Sequence, residues 1–272
     1  MGVKKPLKAY RNEKFLNSPD ARLIRIMAEY LEPESRFHDF KIHDTIVFFG
    51  SARSLPLDKA NQNWKDLENR QKNIPFGPAE RKEREKALLA LRMAGYYENA
   101  RELSRKLTEW SMGLPGKKRR FVVCSGGGPG MMEAANRGAL EAGGVSVALN
   151  ISLPYEQQPN PYVTDSLSFE FHYFFMRKFW FVYLARALVI MPGGFGTLDE
   201  VIEVLTLIQT HKLKKRIPIV LFGSEYWQQV LNFDAMIRWG MINPSDLELF
   251  KVIDTVSEAF EYLKDELTQL YP

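Results

Sequence analysis

The sequence predicts an α/β fold: a doubly wound parallel sheet flanked by helices, with a helical extension at its N-terminal end. Three stretches predict it, each an apolar run that passes into a glycine turn. The strongest is Ala187-Leu-Val-Ile190, followed by Met191-Pro-Gly-Gly-Phe-Gly-Thr-Leu-Asp-Glu200 and an apolar-periodic run from Val201 to Ile208. The second is Arg120-Phe-Val-Val-Cys124, followed by Ser125-Gly-Gly-Gly-Pro-Gly130 and a helical pattern from Met131 to Ala142. The third is Thr45-Ile-Val-Phe-Phe49, followed by Gly50-Ser-Ala-Arg53. Such junctions gather loops at the carboxyl ends of parallel strands, where open α/β sheets bind ligands.

In chain order, residues 1–40 read as the N-terminal extension. Residues 11–40 look helical, with Leu23, Ile24, Ile26, Met27, Tyr30 and Leu31 as the face expected to pack on the sheet. Residues 41–272 form one Rossmann-like domain. Its first crossover, 58–118, is long and highly charged. Glu80–Leu91 and Tyr96–Trp110 read as two helices in it, and Asn73-Ile-Pro-Phe-Gly-Pro78 as a break. Further strands are expected at Val145–Leu149, Ile217–Phe222 and Phe250–Ile253, and further helices over 225–238 and 256–270. The sequence contains no internal repeat and no low-complexity tract.

Composition narrows the function classes. The 272 residues fit one large domain or two small ones, and an apolar content of 45% is ordinary for a globular protein. A net charge of +4 is too slight to call for nucleic acid, and Lys117-Lys-Arg-Arg120 reads as a solvated loop. Cys124 is the only cysteine, which excludes a disulfide or a thiolate metal cluster within the chain and fits a reducing cytoplasm. The opening residues, Met1 to Pro6, carry no apolar signal-peptide core, so a cytoplasmic protein is expected. The aromatic run Phe169–Met191 is long enough to span a membrane, but Arg177 and Lys178 lie near its middle. Each such charge costs roughly 2.5–3.5 kcal/mol to insert, so no membrane association is expected. The four histidines show no metal-ligand spacing.

The glycine junctions point to a phosphate. Gly193, Gly194 and Gly196 leave backbone N–H groups open to a ligand, and a helix starting near Thr197 aims its positive end at the same place. The dinucleotide fingerprint fails, because the sixth position from Gly126 is Met131 and from Gly128 is Glu133. The strand ending at Asn150 also lacks the acid that would hold a ribose 2′-hydroxyl. No P-loop motif occurs. A mononucleotide or a sugar phosphate fits better. Tight turns alone would explain any one glycine pair; three junctions together weigh toward a ligand.

Phe174-Phe-Met-Arg-Lys178, Pro192-Gly-Gly-Phe-Gly-Thr197 and Glu200 resemble the Lonely Guy family. These are the nucleoside 5′-monophosphate phosphoribohydrolases that activate plant cytokinins, with their bacterial relatives, many once labelled lysine decarboxylases. The resemblance covers roughly residues 44–262, and the 23 positions between Arg177 and Glu200 agree with the family spacing. Gly50-Ser-Ala52 and Ser125-Gly-Gly-Gly-Pro-Gly-Met131 also match its nucleotide-binding loops. Leu153-Pro-Tyr-Glu-Gln157 and Pro159-Asn-Pro-Tyr-Val163 resemble the longer bacterial branch. Departures are Asp199, where many members carry Glu; Arg186, where an acid is common; and the extension and long crossover, absent from compact members. They bear on base preference more than on the reaction.

The resemblance implies hydrolysis of the N-glycosidic bond of AMP or a cytokinin riboside monophosphate, giving free base and ribose 5-phosphate. It implies Glu200 as the carboxylate facing the sugar and Arg177 as its essential partner. It implies substrate contacts from Gly50, Ser51 and Ala52; from Ser125, Gly126, Gly127, Gly128, Pro129, Gly130 and Met131; from Glu156 and Lys178; and from Pro192, Gly193, Gly194, Phe195, Gly196 and Thr197. No metal and no cofactor are implied. A homodimer is, with Phe175, Phe179 and Tyr183, at helical spacing, buried at or beneath the interface. Other readings stand beside these. Thr197-Leu-Asp-Glu200 is also a capping box. Lys178 reads equally as a phosphate contact or a structural residue, and His172 and the aromatic ladder around it as core or interface. A nucleotide or molybdenum-cofactor carrier of the same fold is the alternative function. The pairing of Arg177 with Glu200 favours the enzyme, because a carrier needs no such pair. A pyridoxal-phosphate decarboxylase is disfavoured, since nothing marks a Schiff-base lysine.

Overall fold

The computed structural model describes residues 6–72, 77–153 and 158–272. Short helix α1 (Glu13–Leu16) and helix α2 (Arg22–Asp39) precede strand β1 (Thr45–Phe49). Helices α3 (Leu57–Gln71) and α4 (Pro78–Met112) lead to β2 (Val122–Ser125), α5 (Met131–Glu141) and β3 (Ser146–Ile151). Next come β4 (Ser168–Phe171), α6 (Phe174–Tyr183), β5 (Ala185–Ile190) and α7 (Phe195–Gln209). The chain ends with β6 (Ile219–Phe222), α8 (Ser224–Val230), α9 (Phe233–Arg238), β7 (Lys251–Ile253) and α10 (Val256–Leu270).

The seven strands form one sheet in the order β4-β3-β2-β1-β5-β6-β7, and every neighbouring pair is parallel. The chain winds outward from β1 to β4, then returns to lay β5 on the other side of β1. The doubly wound α/β fold expected from the glycine junctions is the one observed, and its switch point lies between β1 and β5. Alternation along β1 divides the core. Ile46 and Phe48 join a cluster with Tyr97, Leu103, Met131 and Leu263, while Val47 and Phe49 join Phe37, Trp180, Phe181 and Val201 on the opposite face. Helices α4, α5 and α10 therefore cover one face, and α2, α6 and α7 the other. Each large apolar side chain so buried contributes roughly 1.5–3 kcal/mol.

Several boundaries differ from expectation. Helix α4 is one helix of 35 residues, running through Gly95, where two were expected. One interior glycine costs about 1 kcal/mol, and burial of Ala94, Tyr97, Ala100, Leu103 and Leu107 outweighs it. Residues 73–76 of the expected break lie outside the described residues. The helix expected over 225–238 is two, because the Asn232 side chain accepts a hydrogen bond from Ala235 N and starts a new helix. Strand β4 was hidden in the aromatic run, whose alternation at Phe169 and Phe171 is short.

The extension also packs differently. Leu23, Ile24, Met27 and Leu31 of α2 are exposed. Of the expected face only Ile26 and Tyr30 turn inward; with Phe37 they pack onto α6 and the β4 edge. Tyr30 and Phe37 both stack on Trp180, with centroids 5.6 and 5.3 Å away, and Phe37 also meets Phe169 at 4.9 Å. The Glu29 carboxylate accepts the N–H groups of His172 and Tyr173, and its carbonyl accepts Trp180 Nε1. The extension thereby holds the N-terminal end of α6.

Candidate functional site

The switch point opens a cavity of about 730 Å³. It forms because three loops leave neighbouring strands at the same end of the sheet. Ser51 N donates to Pro192 O at 3.0 Å, and Ser51 O accepts Met131 N at 2.9 Å, so the loop after β1 is clasped between the other two. Gly50, Ser51 and Ala52 line the cavity, as does Arg53.

The loop after β5 leads into the uncapped N-terminus of a helix. Helix α7 begins at Phe195 with Gly194 as its N-cap, and no side chain caps it. Thr197 is thus the third helical residue and Glu200 lies in the second turn. The capping-box reading fails for this reason: Glu200 is too far along the helix to reach back to the cap. A Cβ on Gly193 would sit 2.1 Å from Thr197 Oγ1, so only glycine lets the threonine fold against the turn. The Thr197 and Leu198 N–H groups bond to Gly194 O at 3.0 Å, leaving those of Phe195 and Gly196 as the open donors of the first turn. Tyr226 of α8 donates its hydroxyl to Gly193 O at 2.6 Å and steadies the loop from outside. Gly193, Gly194, Phe195, Gly196 and Thr197 all line the cavity, whereas Pro192 does not.

The loop after β2 is wired to itself. Ser125 Oγ donates to Asn136 Oδ1 at 2.7 Å and accepts Gly127 N at 3.1 Å. Asn160 Nδ2 donates to the carbonyls of Gly127 and Gly128 at 3.0 and 3.1 Å. Gly127 and Gly130 both have φ of 72°, where a side chain would be strained. Of the residues expected to touch substrate here, Gly126 and Gly128 line the cavity; Ser125, Gly127, Pro129, Gly130 and Met131 do not. The polar groups of Ser125 and Gly127 are spent within the loop, and Met131 N is taken by Ser51 O. Glu156 lies outside the described residues.

Arg177 and Glu200 meet on the cavity wall, with Arg177 Nη2 3.5 Å from Glu200 Oε1. Helix α6 carries Arg177 past Phe174 and Phe181, whose ring centroids lie 5.1 and 5.6 Å from the guanidinium carbon. Glu200 is only 4% exposed. Burial pushes its carboxyl up to about 7, against the opposing pull of Arg177 and Lys178. Burial likewise pushes Arg177 down, and Glu200 and Asp199 counter it. Arg177 Nε is buried with no hydrogen-bond partner among the described residues. Lys178 does not line the cavity. Its Nζ sits 2.8 Å from Asp199 Oδ1 and 2.7 Å from Glu203 Oε2, on the side of α7 away from the site, so its charge is already neutralised.

Sequence reasoning missed part of the lining. Among the lining residues it did not single out are Phe49, Asn150, Phe174, Phe181, Tyr226 and Val230. Asn150 and Arg53 sat beside recognised junctions and could have been found from the strand ends. Tyr226 and Val230 follow no motif; only the return of α8 over the sheet brings them in. No group of three or more His, Cys, Asp or Glu side chains that could hold a metal occurs among the described residues. Among those residues, no helix is long and apolar enough to cross a membrane.

Comparison with known proteins agrees with the resemblance. A family model described as "Possible lysine decarboxylase" matches residues 132–263, which include Arg177, the glycine loop at 192–197 and Glu200. Cytokinin riboside 5′-monophosphate phosphoribohydrolase LOG3 of Arabidopsis thaliana is 32% identical over 81 residues. That match covers 29% of this chain and 37% of the relative, so the chain matches well under half of the relative's length. The chain therefore resembles the Lonely Guy family, as its motifs imply. Among solved structures, TM1055, a structural genomics target, has 20% identity and a TM-score of 0.47, covering 82% of this chain and 99% of that one. The molybdenum-cofactor carrier protein of Chlamydomonas reinhardtii has 19% identity and a TM-score of 0.46, covering 84% and 99%.

Proposed function

We propose that this protein is a nucleoside 5′-monophosphate phosphoribohydrolase, an N-glycosidase acting on AMP or a cytokinin riboside monophosphate. The observation that carries the reading is the buried Arg177–Glu200 pair facing the same cavity as the open N-terminus of α7. The first-turn N–H groups of Phe195 and Gly196, with Thr197, hold the 5′-phosphate. The sugar then lies against Glu200. Cleavage builds positive charge on the ribose as the C1′–N bond lengthens, in the manner of glycoside hydrolysis. The ionised Glu200 stabilises that charge or takes a proton from the attacking water. Water supplies the hydroxyl on C1′, its proton passes to the departing base, and ribose 5-phosphate remains. Arg177 favours the ionised carboxylate against the burial that opposes it.

Two further parts of the reading concern the whole molecule. The exposed apolar residues of α2 and α6, Met27 and Leu31 with Phe175, Phe179 and Tyr183, form the face on which a second copy packs to make a homodimer. The same reading has the protein work in the cytoplasm on a small-molecule substrate; its single cysteine is a free, buried thiol, as a reducing compartment allows. Incubation of the pure protein with AMP, GMP, CMP and UMP, followed by chromatography for free base, tests the function. Release of a base supports it. Tight nucleotide binding with no release would return the carrier as the better reading.

A further inference from the structure

Helices α6 and α7 are joined by three ion pairs, one from Arg177 and two from Lys178. Arg177 and Lys178 are adjacent on α6, Asp199 and Glu200 adjacent on α7. Arg177 reaches Glu200 on the cavity side, and Lys178 reaches Asp199 and Glu203 on the far side. The contacts of the two residues differ in quality. Arg177 Nη2 and Glu200 Oε1 are 3.5 Å apart, at the outer limit of a hydrogen bond, whereas Lys178 Nζ is 2.8 and 2.7 Å from its two carboxylates. The loose pair faces the cavity and the tight cluster lies outside it, so the tight cluster holds the helices in register and the loose pair is free to meet a ligand.

We infer that Lys178 is a positioning residue: seated between Asp199 and Glu203, it fixes α6 on α7 so that Arg177 faces Glu200 across the cavity wall. This rests on the proposed hydrolase reading for its consequence, though not for its geometry. The reading of Lys178 as a phosphate contact gives way to it, because the ammonium does not line the cavity and two carboxylates already hold it. The clamp also sets the charge around Glu200. The charges that act on it are Arg177 and Lys178 from α6 and Asp199 and Glu203 from α7; Arg53, in the loop after β1, and Tyr226, on α8, line the same cavity. Lys178 favours the ionised Glu200; Asp199 and Glu203 oppose it. Removing the lysine exposes Glu200 to two uncompensated acids, whereas removing the Asp199 charge does the opposite.

The test reads the titration of Glu200 in two ways. The pH profile of kcat/KM for AMP is measured for the wild type, Lys178→Met, Lys178→Arg and Asp199→Asn. In parallel, the Glu200 carboxyl is titrated by carbon-13 NMR in ligand-free protein, assigned with Glu200→Gln. Lys178→Met should move both midpoints upward by about half to one pH unit, and Asp199→Asn should move them downward by a similar amount. Lys178→Arg should restore the wild-type midpoint. Loss of activity in Lys178→Met with an unmoved midpoint, or shifts of the same sign in Lys178→Met and Asp199→Asn, would overturn the proposal. If Lys178→Met fails to fold, the downward shift in Asp199→Asn decides it. A wild type that hydrolyses no nucleotide defeats the functional reading alone, because the NMR midpoints still judge the clamp.

Discussion

Arg177 and Glu200 stand 3.5 Å apart on two helices that flank strand β5, and neither is open to bulk water: their side chains are 15% and 6% exposed. Burying two charges is expensive, and the Coulomb attraction between them repays only part of it. The carboxyl raised to about 7 is the sign that the repayment is incomplete. A fold that needed only stability would fill this place with apolar side chains. The first prediction follows. Glu200→Gln should keep the fold and lose hydrolysis by at least about a hundredfold, the scale of a positioned acid–base or electrostatic group. Steady-state kinetics with circular dichroism check it, and near-wild-type turnover would remove Glu200 from the chemistry.

The raised carboxyl gives a signed dependence on pH. Glu200 binds its proton more tightly in the folded chain than in the unfolded one. Its contribution to stability is therefore fully present below the ordinary carboxylate value and is lost as pH rises toward about 7. The difference is on the order of 3 kcal/mol at about 1.4 kcal/mol per unit. Across this window the wild type should lose melting temperature relative to Glu200→Gln. Activity should run the other way, rising through about 7 as the carboxylate ionises. Calorimetry of both proteins between pH 5 and pH 8 measures the first effect. Parallel melting curves would show that burial does not perturb Glu200.

The glycine loop before α7 separates folding from binding. Gly193→Ala places a Cβ against Thr197 Oγ1, so it should destabilise the turn by about 1–3 kcal/mol. Gly194 and Gly196 have open space where a Cβ would go. Gly194→Ala should therefore melt like the wild type while raising KM for AMP, since its methyl group enters the phosphate cradle. Equal KM values in Gly194→Ala and wild type would place the phosphate elsewhere.

The proposed phosphate cradle at the N-terminus of α7 has a consequence for substrate choice. Binding energy at the 5′-phosphate holds the sugar in place for reaction, so AMP should be cleaved far more efficiently than adenosine. A comparison of kcat/KM values tests this, and equal values would mean that the α7 N-terminus does not serve the reaction.

Assembly should depend on the α2–α6 face. Phe175 and Tyr183 are 55% and 49% exposed in the single chain, with Met27 and Leu31 beside them on α2. A double substitution, Phe175→Ser with Met27→Glu, should convert a dimer to a monomer by light scattering. A wild type that is monomeric and fully active at assay concentration would contradict the homodimer.

Much of this was legible from local chemistry. Thr45–Phe49, Ala187–Ile190 and Val256–Leu270 carry patterns that tertiary contacts do not override, and the glycine junctions gave the sheet and its switch point. The capping reading of Thr197 fails because Gly194, three residues ahead of it, is the N-cap and the helix begins at Phe195. The face of α2 is only half legible because both of its sides carry apolar residues: Ile26 and Tyr30 turn in, while Leu23, Ile24, Met27 and Leu31 stay exposed. Ser125 and Gly127 resemble ligand contacts in sequence because a glycine loop looks the same whether its polar groups face a ligand or bond to Asn136 and Asn160. Tyr226 had no signal at all, since its role depends on where α8 returns.

The most direct measurement incubates AMP with the wild type, Arg177→Ala and Glu200→Gln in oxygen-18 water and analyses the products by mass spectrometry. The account predicts adenine and ribose 5-phosphate in equal amounts from the wild type, the label on the sugar and none on the adenine, and almost no product from either variant. Bound AMP recovered intact from the wild type would contradict it, as would unlabelled ribose 5-phosphate.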